Sequence, residues 1–313
     1  MIHRTVGHLL EVRSCVDRWR ASQGGIAARL PTNDNNERMN TMSSSTSATA
    51  STEAQGYVPQ DEWPAVTAML EGFGDPALPA SDKLEGTSLE IAFDNGWTIN
   101  HSFDGGQVTW SITAGADTGA TGTHPYRAVE VRDEIFYVDF LKGEGTNTRD
   151  VTMIINRADG RVTVADSSFV NRNGNVRMHT DFLSGRVVGT GEIEPRSESS
   201  ELVGKRIFYR YSPTERYEHI YLNSGTFVWH CIQGAEQGLG DVDPIRVFEL
   251  ADGVVLLYWS ETVMPVESFV VIDLTNERSI GRMFCWDGPT LAPMHLPFDS
   301  KFTVLNETHY PAE

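Results

Sequence analysis

The amino-acid sequence predicts an all-β protein made of two tandem antiparallel up-and-down β-barrels. The first observation is a long internal repeat, in which Gly86 and Trp110 recur as Gly204 and Trp229 at spacings of 118 and 119 residues. A repeat of this length indicates a duplicated domain rather than a short stacking unit. The second observation is that each copy consists of short alternating segments between turn residues, which is typical of small antiparallel barrels.

In the first copy, alternation and turn signals predict about eight strands. Ser88 to Phe93 alternates polar and apolar residues, and the DNG at 94–96 is a typical hairpin turn. The stretch 115–125 is rich in Gly and Thr and is predicted to be a loop without strand structure. Closing the sheet removes exposed strand edges, and about eight strands leave room for one small ligand.

The second copy repeats this plan, with strands predicted from 206 to 286, a glycine-broken loop at 234–243 and a short last strand at 302–305. The segment 254–260, VVLLYWS, carries apolar residues on both of its faces. A strand of this kind is buried on both sides. The sequence therefore predicts a contact of barrel against barrel, or a homodimer seam, at this strand.

These features divide the chain into four parts. They are a disordered tail (1–56), a helical preface (57–83), the first barrel (84–195) and the second barrel (202–313). The tail includes a low-complexity Ser/Thr/Ala stretch, which cannot form a packed core. Its first part is either a weak organelle-targeting segment or lies before a true start of translation at Met39 or Met42.

The preface is predicted to contain one short helix over residues 65–73. Asp61 is its expected N-cap, Pro64 lies near its start and Gly74 follows its end. Its apolar side chains predict a lid or plug over the first barrel, without chemistry of its own.

Composition excludes several classes of function. The net charge of −18 would repel the phosphates of a nucleic acid, so no nucleic-acid partner is expected. No apolar run approaches the roughly 20 residues of a membrane helix, so no membrane partner is expected either. The three cysteines lack the spacing of a disulfide framework or a zinc site. This pattern predicts a cytoplasmic protein without a metal.

Several short signatures, in order, suggest a family. In the second copy they are LVGK, a pair of strand tyrosines, YExxY, WSE and a closing IGRMF; the first copy carries DNGW. This pattern resembles the phenolic acid decarboxylases, which have a calycin-type (lipocalin-like) barrel. The two-copy arrangement, with THPYRAVEVRDEIFYVDF in the first half, looks most like the MoaF family. The resemblance covers residues 84–286 and implies two tandem calycin barrels.

The resemblance also implies a site in the second barrel that works without a metal or an organic cofactor. In the decarboxylases, two strand tyrosines hold the substrate and a glutamate takes part in proton transfer. These positions fall on Tyr209, Tyr211 and Glu261. The tyrosines are two residues apart on a strand and therefore share one face. A carboxyl group inside an apolar barrel has a raised pKa and can hold a proton near neutral pH.

Two departures from the family pattern limit what the resemblance implies. Leu239 stands where the family has an arginine in the glycine loop. A substrate carboxylate therefore has no evident partner, and related lyase or isomerase chemistry is expected instead. In the first copy, Lys142 replaces the glutamate. It belongs either to a degenerate structural copy or to a site in which a buried amine has a lowered pKa.

The candidates for ligand binding in the two cavities are Trp229, Trp259, Lys142, Trp110 and His101. The tryptophans either line a cavity or form barrel core, and the histidine is either a ligand contact or a structural residue. Two further histidines are placed by their segments. His230 is expected on the outer side of its strand, at the domain interface or on the surface, and His295 lies in a predicted Pro-rich loop that could cover the mouth of the second barrel.

Two functions are compatible with these observations. The first is a cofactor-independent lyase or isomerase acting on a small aromatic or carbonyl compound, with Glu261 as proton donor or acceptor and Tyr209 and Tyr211 orienting the substrate. The alternative is a non-catalytic lipocalin-like protein that binds a small hydrophobic or aromatic molecule. Binding of that kind would depend on the tryptophans and would be indifferent to Glu261.

Overall fold

The computed structural model describes residues 66–73, 76–172, 175–262, 264–287, 290, 292–309 and 311. The predicted disordered tail and the start of the preface, with Asp61 and Pro64, lie outside the described residues. Both sheets belong to one compact unit. None of the helices in the described part of the chain has the length and hydropathy of a membrane-spanning segment.

Residues from Thr87 to Val187 form one nine-stranded antiparallel sheet. Its strands are β1 (Thr87–Phe93), β2 (Thr98–Asp104), β3 (Gln107–Ala114), β4 (Thr121–Pro125), β5 (Arg127–Arg132), β6 (Ile135–Lys142), β7 (Arg149–Asn156), β8 (Arg161–Arg172) and β9 (Asn175–Val187). Their order in the sheet is β4-β3-β2-β1-β9-β8-β7-β6-β5. The two outer strands, β4 and β5, are consecutive in the chain, so the sheet is a nearly closed barrel.

The remaining strands form a closed eight-stranded barrel in simple sequence order. They are β10 (Lys205–Arg210), β11 (Arg216–Asn223), β12 (Thr226–Gln233), β13 (Gly240–Ala251), β14 (Val254–Ser260), β15 (Val266–Asp273), β16 (Arg278–Asp287) and β17 (Ala292–Glu307). Pairing of β10 with β17 closes the barrel, with Tyr209 opposite Phe302. The prediction of two tandem antiparallel barrels is therefore confirmed.

Three strand predictions were wrong in detail. The predicted loop 115–125 contains β4, which pairs with β3 and places Gly122 opposite Trp110. The loop 234–243 ends earlier than predicted, because β13 begins at Gly240. The last strand is β17, 16 residues long and not four. The strand was missed because prolines are rare in strands. Pro293 and Pro297 lie in the part of β17 that pairs with β16 alone, where the missing N–H of a proline leaves no carbonyl without its hydrogen bond.

Between the barrels lies a separate apolar core. Val129, Tyr137 and Ile154 of the first barrel pack there with Leu256 and Phe269 of the second. The other face of β14, with Val255 and Leu257, belongs to the interior of the second barrel. Of the two alternatives for this strand, barrel against barrel is the one observed. A homodimer through another surface stays a prediction.

The one described α-helix, α1 (Val66–Phe73), does not cover the first barrel as predicted. Its buried residues Val66, Met69 and Phe73 belong to the interior core of the second barrel. The prediction failed because the apolar spacing of the helix specifies a buried face and carries no information about which of two similar barrels receives it.

Candidate functional site

A small cavity lies inside the second barrel, against the end that α1 closes. It offers about 20 Å³ to the centres of water molecules, which is room for about one water. Side chains from α1 and from several strands of the barrel form its walls: Met69, Phe73, Tyr211, Tyr217, His219, Trp229, Glu236, Trp259, Glu261 and Met283. Four predicted site residues thus meet at one cavity, namely Tyr211, Glu261, Trp229 and Trp259.

Tyr211 lines the cavity, and Tyr209 lies behind it, outside the lining, and packs against the Tyr211 ring. The two rings are stacked with centroids 5.9 Å apart. The Tyr209 hydroxyl is hydrogen-bonded to that of Tyr221 at 2.9 Å, and Nδ1 of His219 lies 3.3 Å from the same Tyr221 hydroxyl. Burial raises the pKa of both Tyr209 and Tyr211 well above its ordinary value. Both phenols are therefore neutral in this barrel.

Glu261 follows the end of β14, where its backbone N–H donates to the carbonyl of Val266 at 2.9 Å. Its carboxyl oxygen Oε2 is buried and has no hydrogen-bond partner among the described residues. Burial raises the pKa of Glu261 well above its ordinary value, and the nearby acids Glu236 and Asp243 raise it further. The group therefore favours its protonated form.

Glu236 is a second acid at the cavity, and the sequence analysis missed it. It is 3% exposed, and Tyr217 donates a hydrogen bond to its Oε2 at 2.9 Å. Burial raises its pKa to about 7, although the bond from Tyr217 opposes this shift. Positive φ angles at Gly234 and Gly238 shape the loop that turns this side chain inward. An acid between the loop glycines was the available signal.

Neighbouring polar groups fix the cavity walls. Nε1 of Trp229 donates to Oδ2 of Asp243 at 3.0 Å, and the other oxygen of Asp243 accepts from the backbone N–H and the hydroxyl of Thr262. His219 packs 5.8 Å from the Trp259 ring, between centroids. Burial lowers the pKa of His219 to about 3, so this imidazole is neutral. The lining is therefore aromatic, with two carboxyl groups as its acidic elements.

The remaining predicted residues lie in the first barrel, away from Glu261. The Lys142 amine pairs with Asp166 at 2.7 Å and lies 5.9 Å from the Trp110 ring. Because Arg149 pairs with the same carboxylate, Lys142 stands in a partly exposed ion-pair cluster rather than alone in an apolar cavity. His101 is buried, and burial lowers its pKa to about 4, which leaves it neutral.

Two histidine placements have different outcomes. His230 lies on the outer side of β12, 3.1 Å from Glu218, as predicted. The placement of His295 over the mouth of the second barrel was wrong. It belongs to β17 and pairs with the buried Asp150 of β7 at 2.6 Å, at the junction of the barrels. Its strand position was hidden by the prolines that made the segment look like a loop.

Among the described residues, one group of acids comes close enough to share a metal ion: Glu130, Asp133 and Glu134. Its charge is already neutralised in part, since Lys83 pairs with Glu130 at 2.7 Å and Arg157 with Glu134 at 3.0 Å. The group lies at the turn after β5, outside both barrel interiors, and exposed acids of this kind are common without an ion.

The fold and the cavity define a tandem-barrel protein with a buried, acid-bearing aromatic cavity in its second barrel. Residues 61–171 match the model of the MoaF N-terminal domain, and residues 196–308 match that of the MoaF C-terminal domain. The chain belongs to the MoaF family.

Individual proteins similar to this chain include a curated protein and a solved structure. Protein MoaF of Klebsiella aerogenes is 29% identical over 199 residues, which cover 59% of this chain and 76% of that protein. A crystal structure described as a putative beta-lactamase from Burkholderia vietnamiensis is 19% identical and covers 37% of this chain and 98% of its own. Its TM-score of 0.27 is too low to bear on the fold or the function.

Proposed function

We propose that this MoaF-family protein is a cofactor-independent enzyme of the lyase or isomerase type, acting on a small aromatic or carbonyl compound in the second barrel. Glu261 is the proton donor or acceptor, Tyr211 orients the substrate, and Tyr209 holds Tyr211 in place by stacking. One observation carries the proposal: two carboxyl groups with raised pKa values, Glu261 and Glu236, line the same aromatic cavity.

The pKa values suit proton transfer near neutral pH. A general acid or base works best when its pKa lies near the pH of the reaction. Burial raises the pKa of Glu236 to about 7, and it raises the pKa of Glu261 as well. Two acids in different environments can divide the work, one giving a proton while the other takes one. In this proposal Glu261 donates and Glu236 accepts.

The charge of the lining supports a neutral substrate. None of the described side chains around the cavity is cationic, because His219 is neutral and the remaining polar groups are phenols, indoles and carboxyls. A substrate carboxylate would lie beside two acids without a countercharge. This agrees with the leucine at the position where the decarboxylases carry an arginine. Neutral phenols and aryl ketones or aldehydes fit the lining better.

The test follows hydrogen exchange at carbon. In deuterated water, the wild-type protein should speed the loss of the α-proton NMR signals of 4-(4-hydroxyphenyl)butan-2-one over the rate in buffer. Glu261→Gln should lower this rate about a hundredfold or more, the usual contribution of a positioned acid or base. Glu249→Gln, an exposed acid on β13, is the matched control and should exchange like the wild type.

Exchange that is unchanged in Glu261→Gln would contradict the proposal. Binding of the ketone without exchange, with equal affinity in wild type and Glu261→Gln, would instead favour the non-catalytic alternative, a lipocalin-like binding protein. The aromatic walls formed by Trp229, Trp259 and Tyr211 are the observation that keeps this alternative in view.

A further inference from the structure

We infer that helix α1 occupies the ligand position of the second barrel, with Phe73 in the place of an aromatic ring, and that a single-ring aromatic ligand binds by displacing it. This inference rests on the proposed function, because it takes the cavity beside Glu261 as the ligand site. It adds the size of the ligand and the way in which the site opens.

Phe73 sits among the aromatic side chains that would hold such a ligand. Its ring centroid is 4.8 Å from that of Tyr211, and 5.9 Å from those of both Tyr217 and Phe298. Met69, one turn earlier on the helix, lines the same cavity. An aromatic side chain reaching into an aromatic cage from outside the barrel has the contacts expected of a bound aromatic molecule.

The cavity is too small for a ligand while α1 is in place. About 20 Å³ is open beside Phe73, whereas an apolar cavity that binds benzene is on the order of 150 Å³. A phenol or an aryl ketone therefore fits only if Phe73 leaves. Two side chains of the helix, Phe73 and Met69, supply the missing volume when they withdraw, and the carboxyl groups of Glu261 and Glu236 already lie at the cavity wall.

The helix is attached in a way that allows it to leave. Eight residues are too few for a stable helix in water, so α1 depends on its contacts with the barrel. Among the described residues, the hydrogen bonds that hold the helix come from the hydroxyls of Ser212 and Thr214, which donate to the carbonyl of Gly72 at 2.6 and 3.3 Å. A ligand that binds the open form better than the closed form will shift this equilibrium.

The chain that follows α1 is anchored independently. The backbone N–H of Leu78 donates to Oδ2 of Asp299 at 2.6 Å, and that of Ser81 donates to the carbonyl of Ala128 at 2.8 Å. The helix can therefore move away while the chain from Leu78 onward keeps its place on the barrels. Displacement of α1 needs no separation of the two barrels.

The first test is amide hydrogen exchange by mass spectrometry on the full chain, with and without p-cresol, a neutral single-ring phenol. Saturating p-cresol should speed exchange in peptides that cover residues 66–73 and slow it in β10 and β11. Exchange at 66–73 that is unchanged or slower with p-cresol overturns the inference, since a ligand bound beside a closed helix would not release it.

The second test measures p-cresol affinity by calorimetry. Phe73→Ala should lower the Kd at least tenfold, because the cost of opening falls and the ring position is vacated. Ser212→Ala, which removes a bond to the helix without changing the cavity lining, should lower the Kd about threefold. Phe169→Ala is the matched control, an aromatic ring packed on Phe284 and Trp286 away from the cavity, and should bind like the wild type.

The outcomes distinguish a failure of the displaceable helix from a failure of the proposed enzymatic activity. Absence of p-cresol binding by Phe73→Ala, or an unchanged Kd in both Phe73→Ala and Ser212→Ala, overturns the displaceable helix. These measurements read binding alone, so they stand even if Glu261→Gln proves to have normal exchange at carbon. If, conversely, Glu261→Gln loses hydrogen exchange at carbon while the Phe73 and Ser212 variants bind p-cresol like the wild type, that result supports the proposed enzymatic activity and contradicts the displacement of α1 by the ligand.

Discussion

At the scale of single residues, the second barrel departs from an ordinary apolar core by burying carboxyl groups. Glu261 was predicted from the resemblance to the decarboxylases, and strand alternation put it on the same face as the inward-facing Val255, Leu257 and Trp259. Glu236 was not, because a loop has no fixed period and its side chains follow the φ angles of its glycines. Resemblance and local pattern together thus located one of the two acids.

Burial of Glu236 makes the stability of the protein depend on pH. Its pKa is about 7 in the folded protein against an ordinary value of 4.5, so between these values the folded state binds more protons than the unfolded chain. The free energy of unfolding therefore falls as pH rises through this window. Each pKa unit corresponds to about 1.4 kcal/mol, which makes the fall roughly 3 kcal/mol.

Urea unfolding at several pH values between 5 and 8 measures this effect. Glu236→Gln should make the dependence less steep, because an amide does not ionise while the buried Glu261 still contributes, whereas the exposed control Glu249→Gln should keep the wild-type slope. The outcome that contradicts this account is an equal slope with pH in wild type and Glu236→Gln.

At the scale of elements, the strands were predictable where alternation was regular and less so where prolines or glycines interrupted it. β17 shows the reason. Its prolines are tolerated because that part of the strand pairs on one side only, and this depends on the neighbouring strands rather than on the sequence of the segment. The helix α1 was predicted closely in its bounds but assigned to the wrong barrel. Periodicity defines an element and its buried face, and the partner comes from packing.

Strand β16 contains a glycine that packing requires. A Cβ atom at Gly281 would lie 2.5 Å from the carbonyl oxygen of Phe269 and 2.9 Å from Cα of Val270, both backbone atoms of β15. Since these atoms cannot withdraw as a flexible side chain can, Gly281→Ala should force strands apart and destabilise the protein by about 1–3 kcal/mol.

Thermal unfolding provides the measurement, with Gly225→Ala as the control. A Cβ at Gly225 meets only the Asn223 side chain at 3.7 Å, an ordinary contact, so this variant should melt close to the wild type. Equal melting temperatures for the two glycine variants would show that β15 and β16 have more freedom than the packing implies.

At the scale of the whole molecule, a buried ionic network joins the two barrels. Arg282 of β16 is fully buried and pairs with Asp150 of β7 at 3.0 Å and with Glu267 of β15 at 2.8 Å. Burial alone would raise the pKa of Asp150, but the charges of Arg282 and His295 hold it below its ordinary value. The network therefore links the barrels through buried charges that compensate one another.

Removing the central cation should be costly. Arg282→Met leaves the buried Glu267 without this cation and leaves Asp150 with His295 as its remaining cationic partner. Breaking a buried ion pair from one side destabilises by about 3–5 kcal/mol. Arg210→Met is the control, because Arg210 is exposed on β10 and its guanidinium lies over the Phe208 ring. Melting temperatures of both variants decide the point, and a loss in Arg282→Met no larger than in Arg210→Met would contradict this role.

The sequence by itself determined the duplication, the all-β class, the faces of the strands and the inward position of Tyr209, Tyr211 and Glu261. These follow from a period of two along a strand and from a repeat of fixed length, both of which are local properties of the chain. Tertiary structure alone decided which barrel receives α1, that Glu236 lines the same cavity as Glu261, and that Arg282 meets Asp150 from 132 residues away. Each of these depends on contacts between distant segments, and a periodic pattern fixes the side on which a residue lies but not the partner that it meets there.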